Sequence, residues 1–148
     1  MASTTILWLR RDLRIHDHPA LWAALDCADN VLPVFVLDEG VYLGRWASAD
    51  RTHALLETLR ELRGAFEERG GTLAVRQGDP AEVLPALVAE LGATQVHATS
   101  DASPFAIARD RRVSEALKEA GAGLVRHPGM FCADISKIRT KDGRPYAV

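Results

Sequence analysis

The chain has 148 residues, enough for one compact domain with a hydrophobic core but too few for two. Apolar residues make up 47% of it and charged residues 26%, the usual balance of a soluble globular protein. The formal net charge of −2 argues against a surface built to coat nucleic acid, and no apolar run reaches the roughly 20 residues needed to span a bilayer.

Five short apolar segments predict β-strands. Each has the length of a buried parallel strand and the continuous hydrophobicity that is typical of one. In chain order they are Thr5–Leu9, Val31–Asp38, Thr72–Arg76, Thr94–Ala98 and Gly123–His127.

Amphipathic segments between the strands predict helices. The first begins at Pro19, with Asp17 or His18 before it and Asp17 as the expected cap. The second ends at Gly70-Gly71 and has one apolar stripe, formed by Leu55, Leu56, Leu59, Leu62 and Phe66.

The last two predicted helices carry clear boundary signals. Asp79 and Pro80 begin the third, and Gly92 ends it. The fourth repeats this scheme with Ser103, Pro104 and Gly121.

Strands and helices alternate with short connections. This predicts an α/β fold: a Rossmann-like, doubly wound, five-stranded parallel sheet with strand order 3-2-1-4-5 and helices on both faces. Two segments stand apart, since Glu39–Ala47 is long for a connection and Pro128–Val148 contains no convincing core element. Residues 1–148 are expected to form one domain.

A ligand crevice in such a sheet lies beyond the carboxyl ends of the strands, where the strand order reverses. The loops after strands one, two and four meet there. Phosphate-binding motifs of the G-x-G-x-x-G and G-x-x-x-x-G-K-[ST] types are absent from the sequence, so a planar, polar heterocycle fits better than a triphosphate. The candidate ligand-binding residues in these loops are Arg10, Arg11, Asp38, Glu39, Ser100 and Asp101.

The charged segment "WLRRDLRIHDHPAL", residues 8–21, also has a purely structural interpretation. Each of its arginines could pair with Asp12, Asp17 or Asp101 and hold the loops together. Arg11 is the best candidate to stack on a ring or bind an anion through its planar guanidinium group. The histidines flanking Asp17 have no second ligand cluster at metal spacing, so no metal site is expected.

Several other side chains are expected to be structural. Trp8 and Trp22 fit core positions, and Cys27 looks like a small buried hydrophobe. Cys27 and Cys132 lie far apart and form no C-x-x-C motif, which favours a reduced, cytoplasmic setting. The first residues show no signal-peptide pattern.

The segment "ILWLRRDLRIHDHPAL" resembles the opening signature of the DNA photolyase/cryptochrome family, apolar-W-x-R-R-D-L-R-x-x-D-N-x-A-L. The similarity continues in order through "VLPVFVLD", "SDASPFAIARDRRVSEAL" and "KDGRPYAV". The resemblance implies the amino-terminal antenna-chromophore domain of a deoxyribodipyrimidine photolyase, whose pigment is a deazaflavin, a folate or FMN. In the family, a helical domain follows and holds FAD and most of the DNA-binding groove.

The resemblance also implies how activity is divided. The full-length protein would repair pyrimidine dimers in DNA with light, whereas this chain alone would be inactive, carry no catalytic residue and meet DNA only through the full-length protein. Loss of the helical domain would expose an apolar face and favour self-association, unless the tail folds back over that face. The candidates for that face are Phe105, Tyr42, Trp46, Met130 and Phe131.

The sequence departs from the family pattern at the strand-four loop. Relatives often have N-x-D-Y-E-P-Y there, and this chain keeps Asp101 but has Ala102 and Ser103 at the tyrosine and carboxylate positions. His18 stands where asparagine is frequent. Two alternatives stay open: the corresponding domain of a cryptochrome light receptor, and a free-standing nucleotide-binding α/β module.

Overall fold

The computed structural model describes residues 2–44, 47–131 and 138–144. Five parallel strands form one sheet in the order β3-β2-β1-β4-β5, which confirms the predicted fold class and strand order. The strands are β1 (Thr4–Leu9), β2 (Asn30–Leu37), β3 (Ala74–Gln77), β4 (Gln95–Thr99) and β5 (Gly123–His127). The helices are α1 (Pro19–Cys27), α2 (Glu39–Tyr42), α3 (Ala49–Glu67), α4 (Pro80–Leu91) and α5 (Pro104–Glu119).

Helices cover both faces of the sheet. Ile6 and Trp8 of β1 belong to the core beneath α4 and α5, whereas Leu7 and Leu9 belong to the core beneath α1 and α3. This alternation follows from the period of two in a β-strand, and it explains why β1 is apolar throughout. Because β1 lies between β2 and β4, the connections on its two sides diverge at its carboxyl end.

Short polar side chains begin the helices. Ser48, Asp79 and Ser103 accept backbone N–H groups at the starts of α3, α4 and α5, and Gly92 ends α4 with a left-handed φ of 63°. The expectation for α1 was wrong. His18, not Asp17, is its N-cap.

The backbone explains that correction. Asp17 has a φ of 50°, whereas an N-cap residue is usually extended. His18 has a φ of −123°, and its Nδ1 accepts the Leu21 N–H at 3.2 Å.

Three apolar side chains lie further out than expected. Trp22 is 64% exposed and Leu56 is also exposed, and Cys27 is an exposed free thiol. On α1 the sheet contacts use Ala20, Leu21 and Ala24, so Trp22 lies one residue off the buried stripe. The expectation that Trp22 and Cys27 are buried was therefore wrong, while Trp8, at 2% exposure, confirms its core position.

The two irregular segments differ in character. The expected long loop at Glu39–Ala47 contains α2, which Asp38 caps by accepting the Gly40 N–H at 2.9 Å. In residues 128–131 and 138–144 the structure has neither a helix nor a strand, in line with the expectation for this tail. Within the described part of the chain, every helix is too short or too polar to cross a bilayer.

Candidate functional site

A cleft of about 210 Å³ opens at the carboxyl ends of β1 and β2, against the first turns of α5. Four of the predicted binding residues line it: Arg10, Arg11, Asp38 and Asp101. The geometry agrees with the expectation that loops after strands one, two and four form a crevice where the strand order reverses. Their predicted role in ligand binding stays a prediction.

The other two predicted residues lie elsewhere. Glu39 lines an adjoining pocket of about 490 Å³, and its Oε1 accepts a hydrogen bond from Gln77 Nε2 at 2.6 Å. Ser100 is half-buried, and its amide donates to the His127 carbonyl at 2.7 Å. Ser100 is not among the described residues that line either space, although its position next to Asp101 keeps it at the same edge.

Two guanidinium groups flank the indole of Trp8 in the wall of the cleft. The Cζ atom of Arg10 lies 4.6 Å from the ring centroid, and that of Arg109 lies 5.0 Å from it. Arg109 also lies 5.7 Å from the ring of Phe105, which is exposed. Cation–π attraction of this kind holds cationic groups over aromatic faces, so this wall combines positive charge with aromatic surface.

Asp110 of α5 binds both arginines. Its Oδ1 lies 2.5 Å from a terminal nitrogen of Arg10 and 2.9 Å from one of Arg109. Arg10 also donates to the Thr99 carbonyl. Burial lowers the pKa of Arg10, while the Asp110 carboxylate opposes that shift. Arg10 is thus a structural link between β1, β4 and α5, and its partner is Asp110 instead of the carboxylates in its own loop.

Asp12 closes the charged loop from beneath. The Asp12 carboxylate accepts hydrogen bonds from the Arg10 backbone N–H, at 3.0 Å, and from the Thr99 hydroxyl. His18 Nε2 lies 2.9 Å from Asp12 Oδ2, but the angle is outside ideal hydrogen-bond geometry. Burial raises the pKa of Asp12, but these contacts outweigh it and hold the pKa well below its usual range. Because His18 Nδ1 accepts the Leu21 N–H, the ring proton of neutral His18 lies on Nε2, facing Asp12.

Arg11 and Asp101 form a looser pair at the mouth of the cleft. A terminal nitrogen of Arg11 lies 3.5 Å from Asp101 Oδ2, and the Arg11 side chain is 69% exposed. Asp101 also accepts the Ser103 N–H at 2.9 Å. Burial raises the pKa of Asp101, whereas the Ser103 hydrogen bonds and the nearby arginines lower it, so the group is a carboxylate. Arg11 is therefore the arginine of this loop that can turn towards a ligand.

Arg14 is the third arginine of the segment, and it contacts backbone. It donates to the carbonyls of Asp17 and Gly129 at 3.0 and 3.2 Å. These contacts tie the charged loop to the start of the tail. Arg14 was expected to pair with a nearby carboxylate, but its guanidinium group contacts backbone carbonyls instead.

Residues of the cleft that the sequence did not single out come from α2 and α5. Arg109 lines the cleft without any prediction from the sequence, and so do Tyr42 and Phe105, which the sequence offers only as part of an exposed apolar face. Arg109 lies in the run "ARDRRV", where the charge pattern alone cannot tell an inward arginine from an outward one. Ser103 also lines the cleft and caps α5, so the departure from the family's carboxylate has a structural role here.

The surface expected to be apolar and exposed is partly so. Phe105 and Phe131 are exposed, whereas Tyr42 and Met130 are half-buried. Trp46 lies outside the described residues. Self-association of the chain stays a prediction.

Comparison with known proteins identifies the family. The family model for DNA photolyase matches residues 5–148. The chain belongs to the DNA photolyase family. Its five-stranded Rossmann-like sheet is the fold of the amino-terminal domain of photolyases.

Named members of this family include both photolyases and cryptochromes. The chain is 35% identical over 131 residues to the deoxyribodipyrimidine photo-lyase of Streptomyces griseus, a match that covers 88% of this chain and 29% of that protein. It is 34% identical over 139 residues to cryptochrome-2 of Gallus gallus, covering 94% of this chain and 24% of that protein.

A solved photolyase structure has the same architecture. The class III photolyase of Agrobacterium tumefaciens superposes with a TM-score of 0.88 at 28% identity, over 100% of this chain and 30% of that protein. The chain spans half or less of the length of the curated relatives that it matches.

Proposed function

We propose that the cleft binds a planar heteroaromatic chromophore, as the antenna site of a light-dependent DNA-repair protein. The observation that supports this most directly is the exposed ring of Phe105 beside the guanidinium group of Arg109, with Trp8 buried behind them in the wall of the cleft. Aromatic and guanidinium groups offer flat surfaces for an electron-rich ring. They line a cleft at the point where ligands bind in open α/β sheets.

The size of the site suits such a ligand. The cleft of about 210 Å³ and the adjoining pocket of about 490 Å³ share Asp38, Phe105 and Arg109 in their linings. Together they fall in the range of about 300–1,000 Å³ that is usual for small-molecule sites. A ring in the cleft could therefore extend a side chain into the adjoining pocket.

Arginines that could bind an anionic group lie among carboxylates at this site. Arg11 is exposed at the mouth of the cleft, and Arg109 and Arg112 line the adjoining pocket together with Asp38, Glu39 and Asp79. Asp101 is an acceptor for ring N–H or hydroxyl groups. Deazaflavins, folates and FMN each combine a flat heterocycle with anionic groups, so they are the proposed pigments.

The activity of the full-length protein is a further part of the proposal. Family membership supports light-driven repair of pyrimidine dimers, with FAD held in a carboxyl-terminal helical domain that is the partner of this chain. DNA would be contacted only through the full-length protein, and this chain alone would repair nothing. The two distant cysteines support a cytoplasmic setting.

A cryptochrome light receptor is the second candidate, because the identity to cryptochrome-2 is close to that to the photolyase. A repair assay on the full-length protein separates the two. Loss of dimers from irradiated DNA under blue light supports the photolyase, and no loss with FAD bound supports the receptor. In both cases the cleft keeps its proposed chromophore.

Titration of FMN, a deazaflavin and a folate, followed by fluorescence, tests the binding proposal. We expect one of them to bind, and we expect Arg11→Ala and Asp101→Asn to weaken it roughly tenfold or more, because a charged hydrogen bond is worth about 1.5–3 kcal/mol. Arg111→Ala is the matched control, since Arg111 is exposed and its contact is Glu115 on α5. Equal affinity of all four proteins for a tightly bound chromophore would place the site elsewhere.

A further inference from the structure

A surface thiol faces a buried histidine at the edge of the sheet opposite the cleft. Cys27 is the last residue of α1, three residues before β2 begins, so it lies near the amino-terminal edge of the parallel strands. Its Sγ atom lies 3.3 Å from Nε2 of His97 on β4 and 3.3 Å from the carbonyl oxygen of Ala24 in the last turn of α1, so the thiol has two acceptors within reach. Cys27 is exposed, whereas His97 is 3% exposed. Reagents can therefore reach the sulfur, while the imidazole is held in place by the surrounding protein.

His97 also contacts a second imidazole. Its Nδ1 lies 2.9 Å from Nε2 of His127 on β5, and the two rings are nearly parallel, with an interplanar angle of 8°. On the other side of the ring, Gln95 Oε1 lies 3.1 Å from Nε2. Each ring nitrogen of His97 therefore has a polar partner at hydrogen-bonding distance, which fixes the orientation of the ring.

The resting ring is neutral. Burial lowers the pKa of His97, and His127 adds to the shift. Burial also lowers the pKa of His127, with a further contribution from His18. A neutral imidazole next to a thiol can accept its proton, and the series Cys27, His97, His127 has the order of a nucleophile, a base and a group that orients the base.

We propose that Cys27 is a nucleophilic thiol that forms mixed disulfides with small disulfide compounds, with His97 accepting its proton and His127 orienting the His97 ring. The Cys27 sulfur attacks one sulfur of the reagent, so that one S–S bond forms and the S–S bond of the reagent breaks. The thiol proton passes to His97 Nε2 and then to the departing thiolate. The sulfur of Cys27 is oxidised and the leaving sulfur is reduced, so the electrons balance.

The test uses a chain in which Cys27 is the single thiol. The sequence has two cysteines, so Cys132→Ser provides this background. Dithiodipyridine is the reagent, and absorbance of the released thiopyridone gives the rate at neutral pH. We expect native Cys27 to react about tenfold faster than the same cysteine in chain unfolded by guanidinium, after both rates are normalised to N-acetylcysteine in the same solvent.

Variants then assign the roles. His97→Asn should bring the native rate down to that of the unfolded chain, and His127→Asn should give an intermediate rate. His53→Asn is the matched control, because His53 is an exposed histidine on α3 and should leave the rate unchanged. Unfolding temperatures recorded beside the rates identify any variant that has lost its fold.

Two results would overturn the proposal. One is a rate for native Cys27 that is equal to or below the rate for the unfolded chain. This comparison needs no variant, so it decides the question even if His97→Asn does not fold. The other is a folded His97→Asn protein that reacts as fast as its parent.

Discussion

Arg10 and Asp110 are joined by an ion pair of 2.5 Å across 100 residues of sequence. Their side chains are 7% and 2% exposed, so the pair is removed from water. It links the end of the central strand to α5 and holds Trp8 in the wall of the cleft. The charged segment that opens the chain is thus divided, with Arg10 and Asp12 building the edge of the sheet and Arg11 facing outward.

Loss of this pair should destabilise the fold. We expect Arg10→Ala to lower the free energy of unfolding by about 3 kcal/mol, because the buried Asp110 carboxylate then loses one of its two cationic partners. Arg111→Ala, which removes an exposed arginine from the same helix as Asp110, should change it by less than about 0.5 kcal/mol. Urea denaturation of the three proteins measures this, and equal midpoints would show that the pair contributes no stability.

Asp12 should make stability depend on acid. Its pKa in the folded chain is held below that of an exposed aspartate, which is about 3.9, so the folded state favours the carboxylate. The stabilisation is fully present above that value and is lost as the pH falls towards the lower, folded pKa. The free energy of unfolding of Asp12→Asn should therefore lie below that of the parent by a constant amount above about pH 5, and this difference should shrink below about pH 4.

Unfolding free energies across this pH range measure the effect of Asp12. Asp142→Asn is the control, because Asp142 is exposed in the tail, and its difference from the parent should be small at every pH. A deficit of Asp12→Asn that stays the same down to pH 2 would refute the linkage.

Ser103 provides a test of the departure from the family pattern. Its Oγ accepts the Ala106 N–H at 3.3 Å and so caps α5. We expect Ser103→Ala to cost about 1 kcal/mol of stability. Ser103→Asp should keep the cap and place a carboxylate at the cleft, since aspartate is also a good N-cap.

Thermal unfolding and chromophore titration read the two effects at Ser103 separately. If the melting temperature of Ser103→Asp equals that of Ser103→Ala and lies below that of the parent, the side chain at this position does not act as a cap. If Ser103→Asp strengthens chromophore binding without a change in melting temperature, a carboxylate at this position contributes to chromophore affinity and the serine lowers it.

The strand order and the position of the cleft could be predicted because both follow from the alternation of apolar segments and from β1 lying at the centre. The wall of the cleft could not. Arg10 has several acidic partners within its own loop, and only the folded chain brings Asp110 to it. Local sequence carries no signal for a contact at that separation.

Side-chain exposure on α1 was hard to predict from the sequence for a different reason. Leu21 and Trp22 are adjacent and both apolar, so periodicity in a nine-residue helix does not decide which one faces the sheet. The small residues Ala20 and Ala24 let the helix approach the sheet closely and place Leu21 inward. Trp22 and Leu25, one turn apart, are left exposed.

The indole signals of the tryptophans test the central claim most directly. Trp8 lines the cleft between β1 and α5, and Trp22 is exposed on α1 across the sheet. In an amide-detected NMR titration with the chromophore that binds, the indole N–H signal of Trp8, assigned through Trp8→Phe, should shift in a saturable way while that of Trp22 stays in place. Saturable binding that shifts Trp22 and leaves Trp8 unmoved would contradict the assignment of this cleft as the chromophore site.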